Sequence, residues 1–315
     1  MRLSSLLPHI GVLDFQSEDE RDFEYLSLCN SANERPCCAF VSEKKYVSSI
    51  SSNVTMVLTT RDIGERVDQR SYGVCFVDQP RAVFFRLHNY LSGIDGYRRE
   101  RKKTVLGDRC RISSMSCIAD NGVVIGNDVV IEEFVSVREN TVIGDRSIIR
   151  AGTIIGGAGF FFQHDSRSVF LVEHAGGVII GQDVEIQQNC CLERAVYPWD
   201  NTVIGDCTKT SSHVLIGHAS KLEEHIMVTG HSVIGRSHIK KNAWIGLGAT
   251  VINGITIGEN ARINIGAVVV GNVGDGETVT GNFAVPHDKF TRNQINIMKS
   301  TKGKLSQTPD QAENK

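Results

Sequence analysis

A six-residue repeat of aliphatic side chains runs from about Ile125 to about Val269. The repeated positions are Ile125, Ile131, Val137, Ile143, Ile149, Ile155, Ile180, Ile186, Leu192, Ile204, Ile216, Leu222, Val228, Ile234, Ile239, Ile245, Val251, Ile257, Ile263 and Val269. A period of six is typical of a β-helix, in which each hexad forms a short strand and a corner, and three hexads form one triangular coil. The aliphatic side chains are predicted to stack along the axis. The Gly, Asn or Asp residues that follow them are predicted to permit tight corners. A β-sandwich is disfavoured because its turns recur about every 8 to 12 residues without a sustained phase.

The composition agrees with a regular aliphatic core. Among 315 residues, 41% are hydrophobic, 7% are aromatic and 30 are Gly, and this length allows about two domains. A formal charge of -2 gives no general attraction to nucleic acid or to an anionic membrane. The basic run at residues 98–103 is predicted to be a solvated link between domains.

The cysteines and the N-terminus indicate a cytoplasmic protein. The nine cysteines form no CxxC pair and no regular framework, which is typical of a reducing compartment. The first 15 residues have only a short apolar stretch, broken by Pro8, and the chain has no apolar run of about 18 residues. Neither a secretion leader nor an integral membrane segment is therefore expected.

The first hundred residues do not follow the repeat. Three stretches are predicted to be buried strands, and one is predicted to be an amphipathic helix: Cys38–Val41, Val54–Leu58, Val74–Val77 and, for the helix, Arg81–Leu91. We therefore expect a mainly β protein with three parts. These are a small α/β domain at residues 1–103, a β-helix at residues 104–281, and a C-terminal extension at residues 282–315 with a short helix and a disordered end.

The repeat is interrupted twice, after Ile155 and after Leu192. The first interruption, at residues 156–177, carries Phe160, and the second, at residues 195–200, carries Tyr197 and Trp199. Loops that leave a rigid scaffold often build sites, so these aromatic side chains are candidates for the wall of a pocket. Packing between subunits is the alternative interpretation.

Histidines cluster in the coils that follow the two interruptions. They are His213, His218, His225, His231 and His238. His218 directly follows Leu215-Ile216-Gly217, next to a predicted corner, where a neutral imidazole can face a cleft between chains and accept a proton near neutral pH. We predict that His218 is a general base.

The chain resembles the UDP-3-O-acyl-glucosamine N-acyltransferase family of lipid A biosynthesis over roughly residues 20–290, in the order of its α/β domain and its β-helix. The segments that carry the resemblance are Phe40–Tyr46 (FVSEKKY), Gly156–Phe161 (GGAGFF), Val178–Ile186 (VIIGQDVEI), Asn201–Gly205 (NTVIG), Leu215–His218 (LIGH) and Val251–Gly254 (VING). In that family a uridine-binding α/β domain precedes a left-handed β-helix, and homotrimers form active sites between subunits. The resemblance therefore implies a left-handed parallel β-helix and a trimer.

The resemblance also implies a reaction, the transfer of an acyl group from a thioester to the amine of a nucleotide-linked sugar. His218 matches the catalytic base, and Phe40 and Tyr46 match the aromatic pair that holds uracil. The other candidate substrate contacts are Phe160, Tyr197, Trp199, His231 and Asn253. No metal or resident cofactor is expected, because acyl-CoA or acyl carrier protein serves as co-substrate.

Four departures from the family pattern bear on the substrate. Ser211 stands where the family has an acidic residue seven positions before the histidine, so the imidazole is expected to lack that partner. Ile255 replaces a further histidine, Glu43 replaces an asparagine of the uridine motif, and the C-terminal tail is short. The main expectation is an enzyme that acylates a UDP- or dTDP-linked amino sugar for lipopolysaccharide or another surface polysaccharide. The lipid A enzyme itself is the alternative.

Two other classes share the six-residue repeat. Trimeric γ-type carbonic anhydrases bind zinc through histidines, and His213 and His218 reproduce the spacing of two of those ligands, with a third needed near His174. A non-catalytic β-helix that serves trimerisation or sugar-nucleotide sensing is the remaining alternative.

Overall fold

The computed structural model describes residues 1–31, 35–166, 168–281 and 283–305. A small α/β unit comes first. Its five strands are β1 Gln16–Glu18, β2 Tyr25–Leu26, β3 Cys37–Val41, β4 Val54–Thr59 and β5 Gly73–Phe76. They lie in the order β1-β5-β4-β3-β2, and β1 is antiparallel to β5 while the other pairs are parallel.

The helices of this unit are short except for one that packs on the sheet. They are α1 Leu3–Leu6, α2 Arg61–Gly64 and α3 Pro80–Ser92, with 3-10 turns at Leu7–Ile10 and Lys44–Ser49. Buried Phe84, Phe85 and Leu87 of α3 share a core with Met56 and Leu58 of the sheet. The predicted helix and the three predicted strands are confirmed, and α3 begins at Pro80, whose fixed φ suits the first helical position.

The rest of the chain winds into a parallel β-helix with three faces. The first face contains β6 Val105–Leu106, β9 Val123–Ile125, β12 Thr141–Ile143, β17 Gly177–Ile180, β20 Asn201–Ile204, β23 Lys221–Leu222, β26 His238–Ile239 and β29 Thr256–Ile257. The second contains β7 Arg111–Ile112, β10 Val130–Ile131, β13 Ile148–Ile149, β18 Glu185–Ile186, β21 Lys209–Thr210, β24 Met227–Val228, β27 Trp244–Ile245, β30 Arg262–Ile263 and β32 Thr278–Val279. The third contains β8 Cys117–Ile118, β11 Ser136–Val137, β14 Ile154–Gly157, β19 Cys191–Glu193, β22 Leu215–Ile216, β25 Val233–Ile234, β28 Thr250–Val251 and β31 Val268–Val269.

Two further elements stand outside the three faces. The strands β15 Phe162–His164 and β16 Val169–Leu171 form an antiparallel hairpin, and α4 His287–Leu305 follows the β-helix. The predicted C-terminal helix is present, whereas the predicted disorder concerns residues 306–315, which lie outside the described residues. In the part of the chain that the structure describes, none of the helices combines the length and the apolar character that a membrane crossing requires.

The repeat prediction is confirmed by the burial of its aliphatic side chains. All of the repeated positions from Ile125 to Val269 belong to one core, and the most exposed of them, Val269, is only 6% exposed. The β-helix begins one coil before the repeat becomes evident, at Val105. Leu106 in that first coil is 52% exposed, because only one neighbouring coil covers it.

Gly144 and Gly205, which follow aliphatic residues of the repeat, have a different role from the predicted one, whereas Gly156 after Ile155 has the left-handed backbone of a corner. A Cβ at Gly205 would lie 2.5 Å from the carbonyl carbon of Glu223 in the next coil, and one at Gly144 would lie equally close to that of Gly181. These glycines therefore permit close stacking of coils. Left-handed backbone occurs instead at other corner residues, among them Asn140, Asp183 and His213.

We expect Gly205→Ala to lower the free energy of unfolding by about 1–3 kcal/mol, because the added methyl group forces adjacent backbones apart. Gly271→Ala is the matched control, since nothing lies within 4 Å of a Cβ at that position. Chemical denaturation of both variants measures the difference. Equal stability of the two variants would contradict the assigned role of Gly205.

Both interruptions of the repeat dock onto the α/β unit. On the first, Asp165 Oδ2 accepts a hydrogen bond from Arg86 Nε of α3 at 2.5 Å, and the hairpin packs along that helix. On the second, Trp199 Nε1 donates to the Leu26 carbonyl oxygen at 3.1 Å. Arg99 binds the same loop, donating to the carbonyl oxygens of Pro198 at 2.6 Å and Asp200 at 2.7 Å. This residue of the basic run is thus a half-buried anchor and not a solvated link.

Two histidines are buried, and one of them, His88, joins the α/β unit to the first interruption. His88 lies between the Tyr97 hydroxyl, 3.1 Å from Nδ1, and the Glu173 carbonyl oxygen, 2.9 Å from Nε2. Burial lowers the pKa of His88 to about 4. It also lowers the pKa of His174 to about 4, with the nearby His218 acting in the same direction. Both imidazoles are therefore neutral in the folded protein at neutral pH.

We expect stability to fall as the pH drops from 6.5 towards 4. In that range these histidines become protonated in the unfolded chain but stay neutral in the folded chain. Each histidine therefore removes on the order of 2–3 kcal/mol from the free energy of unfolding at pH 4. His88→Gln should flatten this dependence, as measured by urea titrations at several pH values. An unchanged slope in the variant would contradict the assignment.

Candidate functional site

Two adjoining clefts lie between the α/β unit and the β-helix. The histidine cleft, of about 350 Å³, is lined by Leu28, Phe40, Arg81, Phe85, Phe160, Phe161, Val196, Tyr197, Asp200, His218, Ala219, Arg236, Asn253 and Gly254. The aromatic cleft, of about 250 Å³, is lined by Leu28, Cys29, Asn30, Phe40, Ser42, Glu43, Tyr46, Arg81 and Arg236. Leu28, Phe40, Arg81 and Arg236 belong to both, so the clefts form one continuous depression.

His218 lies at the β-helix side of this depression. It follows β22 and Gly217, and its ring stacks on Phe161 at a centroid distance of 5.6 Å. Nδ1 is buried and faces Glu193, which leaves Nε2 as the ring nitrogen towards the cleft. The structure places His218 at a cleft within one chain. The predicted cleft between chains and the role of His218 as a base stay predictions.

Glu193 is the carboxylate partner that the sequence analysis expected to be missing. The register pairs Leu192 with Ile216, which places Glu193 one coil before Gly217. Its Oε2 accepts the backbone N–H of His218 at 3.1 Å and lies 3.4 Å from Nδ1. The two side chains are only 14% and 18% exposed, so solvent screens this contact weakly. A carboxylate from another coil thus takes the place of the acidic residue that is absent at Ser211.

The charge state of Glu193 is set by two opposing effects. Burial raises the pKa of this carboxyl, but the imidazole and the backbone N–H of His218 outweigh burial and leave the pKa below its ordinary value. The carboxylate is therefore ionised at neutral pH. Within the described residues Nδ1 has no aligned hydrogen-bond acceptor, so the contact at 3.4 Å is electrostatic, and a small ring rotation would make it a hydrogen bond.

A second histidine and a glycine complete the wall behind His218. The His174 ring meets the His218 ring edge to face at 5.3 Å. His174 Nδ1 lies 3.0 Å from the Val172 carbonyl oxygen, and Nε2 accepts the Gly159 N–H at 3.2 Å, which fixes the neutral tautomer with hydrogen on Nδ1. A Cβ at Gly159 would collide with Glu193 Oε2 and lie 3.1 Å from His218 Nδ1. Only glycine fits there without displacing the pair.

The two aromatic residues predicted to hold uracil line the aromatic cleft, and one of them, Phe40, also lines the histidine cleft. Phe40, on β3, packs one side against Phe84 at 5.0 Å and Phe85 at 5.8 Å and lines both clefts. Tyr46, in the 3-10 turn after β3, is 39% exposed and lines the aromatic cleft. Lys45 Nζ lies 4.9 Å from the centroid of its ring. Both rings are thus available to stack on a planar ligand.

The aromatic residues of the interruptions separate into two groups. Phe160 is 88% exposed at the edge of the histidine cleft, and Tyr197 lines the cleft although it is only 6% exposed. Trp199 is stacked on Tyr197 at 5.2 Å and is hydrogen-bonded to the α/β unit, so it supports Tyr197 without lining either cleft. Burial raises the pKa of Tyr197, and the charges of Arg236 and Arg81 oppose that rise.

The remaining predicted substrate residues have structural contacts of their own. Asn253 lines the histidine cleft, but its Oδ1 accepts the backbone N–H of Arg236 at 2.9 Å. Asp206 makes the equivalent contact to Gln182 in another coil, so part of the role of Asn253 is to join coils. His231 lies on a left-handed corner, stacked on His213 at 5.0 Å, and the structure does not bring it into either cleft.

The three-histidine set of the zinc alternative is not assembled within one chain. His174 and His218 are in contact, whereas His213 stacks on His231 instead. Across the described ranges, no group of three or more His, Cys, Asp or Glu side chains is arranged to hold a metal ion within this single chain.

Comparisons with known proteins support the repeat and the family resemblance in part of the chain. Residues 122–157 match the family model described as bacterial transferase hexapeptide (six repeats). A UDP-3-O-acylglucosamine N-acyltransferase 2 of Legionella pneumophila is 46% identical over 88 residues, which cover 28% of this chain and 25% of that protein. A UDP-3-O-acylglucosamine N-acyltransferase of Coxiella burnetii is 38% identical over 97 residues, which cover 30% of this chain and 28% of that protein. The matched part thus spans little more than a quarter of the length of these curated relatives.

A solved structure supports the fold over a longer stretch. The UDP-N-acetylglucosamine acyltransferase from Campylobacter jejuni superposes with a TM-score of 0.50 at 22% identity, covering 57% of this chain and 68% of that one. The likeness confirms the predicted left-handed parallel β-helix. The chain is therefore a left-handed hexapeptide-repeat β-helix protein that is similar, over part of its length, to UDP-3-O-acylglucosamine N-acyltransferases.

Proposed function

We propose that this protein is an N-acyltransferase that moves an acyl group from a thioester to the amine of a nucleotide-linked amino sugar. One observation carries the proposal: a single depression contains His218, which faces the buried Glu193, at one end, Tyr46 at the other end, and Phe40 where the two clefts join. A general base paired with a carboxylate suits deprotonation of an attacking amine, and the aromatic rings suit a nucleobase. The names of the partial relatives support the same chemistry.

The proposed reaction needs only one proton acceptor. The sugar amine attacks the thioester carbonyl carbon, and a C–N bond forms as His218 Nε2 takes a proton from the nitrogen. The tetrahedral species then collapses, the C–S bond breaks, and the proton passes to the leaving thiolate, so that the products are an amide and a free thiol. Glu193 stabilises the imidazolium that exists between these two steps.

The proposed partners follow from this chemistry. The acyl donor is acyl-CoA or acyl carrier protein, and the acceptor is a UDP- or dTDP-linked amino sugar used for lipopolysaccharide or another surface polysaccharide. We include a homotrimer in the proposal on the family resemblance. We also include a cytoplasmic location, which the nine free thiols support. No metal or resident cofactor takes part.

The second candidate is the lipid A enzyme that acylates UDP-3-O-acylglucosamine, and the names of the curated relatives favour it. The two candidates differ in the length of the acyl group, because long hydroxyacyl chains need a deep apolar groove and short ones do not. Rates measured with acetyl, butyryl and 3-hydroxymyristoyl thioesters on CoA and on acyl carrier protein distinguish them.

The test of the proposed function is a product assay with purified protein, an acyl thioester and a UDP-amino sugar. We expect thiol and amide to appear in equal amounts. When the amine of the sugar is replaced by a hydroxyl, thiol should be released no faster than in buffer. Stoichiometric zinc with CO₂ hydration would instead support the carbonic anhydrase class. A protein that binds the nucleotide sugar without releasing thiol from any of the thioesters would support the non-catalytic class.

A further inference from the structure

Two arginines from different parts of the chain meet where the two clefts join. Arg81 is the second residue of α3, and Arg236 follows β25 on the β-helix. The register pairs Ile216 with Ile234, so Arg236 occupies the position of His218 one coil later. Adjacent parallel strands are about 4.8 Å apart, which places Arg236 directly beside the proposed base. Both arginines line both clefts.

Neither guanidinium forms an ion pair with another described residue, although both lie among polar groups. Arg81 Nε donates to the neutral Gln163 Oε1 at 2.8 Å, and its Cζ lies 5.9 Å from the ring centroids of Phe40 and Phe85. These contacts hold the Arg81 side chain in place without neutralising its charge.

The carboxylates that line the clefts already have other partners. Asp200 Oδ1 lies 2.6 Å from Lys221 Nζ, and Glu43 Oε2 lies 2.8 Å from Lys45 Nζ. Glu193 faces His218. Arg81, Arg236 and the buried Tyr197 line the same cleft. Two uncompensated positive charges therefore face the junction.

We propose that Arg81 and Arg236 form a two-sided binding site for the diphosphate of a nucleoside-diphosphate ligand. Planar guanidinium groups form paired hydrogen bonds with phosphate oxygens, and two of them match a diphosphate better than a single phosphate. Tyr46 lines only the aromatic cleft and His218 only the histidine cleft, whereas both arginines line both clefts, so the arginines lie between Tyr46 and His218. Base, diphosphate and sugar follow one another in the same order in a nucleotide sugar. The assignment of the ends rests on the proposed function, whereas the anion site rests on the two arginines.

This site would also connect the two parts of the chain. Arg81 belongs to the α/β unit and Arg236 to the β-helix, so one diphosphate would bridge them. The bridge would fix the distance between the base and the sugar amine. Loss of either arginine should therefore weaken nucleotide binding even though the aromatic rings remain.

The test compares binding of UDP, UMP, uridine, CoA and inorganic pyrophosphate by titration calorimetry. We expect Arg81→Gln and Arg236→Gln each to weaken UDP binding by about 10- to 100-fold, to weaken UMP binding less, and to leave uridine binding unchanged. Arg111→Gln is the control, because this exposed arginine lies on the β-helix outside both clefts. Thermal unfolding of each variant establishes that the fold is retained.

Several outcomes would overturn the proposal, and they differ from failure of the proposed function. Unchanged UDP affinity in both variants, with acyl transfer intact in the wild type, would reject the arginine site and leave the enzyme assignment standing. The arginine site would also be rejected if the variants lost equal affinity for uridine and for UDP, or if they lost affinity for CoA but not for UDP. Arginine-dependent binding of pyrophosphate without binding of UDP would keep the anion site but reject the nucleoside and, with it, the proposed substrate.

Discussion

Replacement of His218 by asparagine is expected to slow acyl transfer by about 10²- to 10⁴-fold. Asparagine can occupy the space beside Phe161 and Glu193, but it cannot accept the proton of the attacking amine at neutral pH. The measurement is the initial rate of thiol release from the acyl thioester in the presence of the amino sugar. Because the substitution removes the base and leaves the aromatic cleft unchanged, the affinity for UDP should stay within about threefold of the wild-type value.

His225→Asn is the matched control for this substitution. His225 lies on a left-handed corner, is exposed, and lies outside both clefts, and asparagine tolerates that backbone conformation. We expect the control to keep the wild-type rate. A rate for His218→Asn within threefold of the control would show that this histidine is not the base.

The second large effect is expected for Glu193→Gln, with a fall in kcat of about 10- to 100-fold. Glutamine keeps the shape of the side chain and can still accept the backbone N–H of His218, but it loses the charge that stabilises the imidazolium. KM should change little. Thermal stability should stay near that of the wild type, because glutamine keeps the hydrogen bond from the His218 backbone N–H.

Glu223→Gln is the matched control, because Glu223 Oε1 lies 2.7 Å from Nε2 of His238 in a similar pair outside the clefts. The comparison of kcat, KM and thermal stability separates positioning from a merely structural role. If Glu193→Gln raised KM as much as it lowered kcat, or lowered kcat only together with thermal stability, the assigned electrostatic role would be wrong.

The architecture of the β-helix followed from the sequence because one geometric rule fixes it. A side chain that recurs every six residues returns to the same direction after each corner, so residues such as Ile143 and Ile204 had to share one core. The same rule could not identify the role of the glycines after them. That role depends on how closely neighbouring coils approach, as at Gly144 and Gly205, and a single coil contains no information about that distance.

The site was predictable only where its residues lie in short motifs. His218 and the pair Phe40 and Tyr46 were found in this way, and the structure brings them to one depression. Glu193 was missed because the second interruption lengthens the coil between Leu192 and Ile216, which hides the register between them. Alignment of Leu192 with Ile216 as successive positions of one stack would have placed Glu193 beside His218.

The arginines of the cleft junction have no comparable sequence signal. Arg81 reaches the cleft only because α3 packs between the sheet and the β15–β16 hairpin, and that packing depends on contacts between residues distant in the chain, such as the one between Arg86 and Asp165. The docking of Trp199 onto Leu26 depends on tertiary structure in the same way. Sequence patterns specify local geometry, whereas these contacts follow from the shape of the completed fold.

The most direct test of the central claim is a crystal structure of the protein with a UDP-amino sugar bound. We expect uracil against Phe40 and Tyr46, and the sugar amine within about 3.2 Å of His218 Nε2 or connected to it through one water molecule. A nucleotide bound outside this depression would contradict the proposed function. So would a sugar whose amine is directed away from His218 while the base occupies the aromatic cleft.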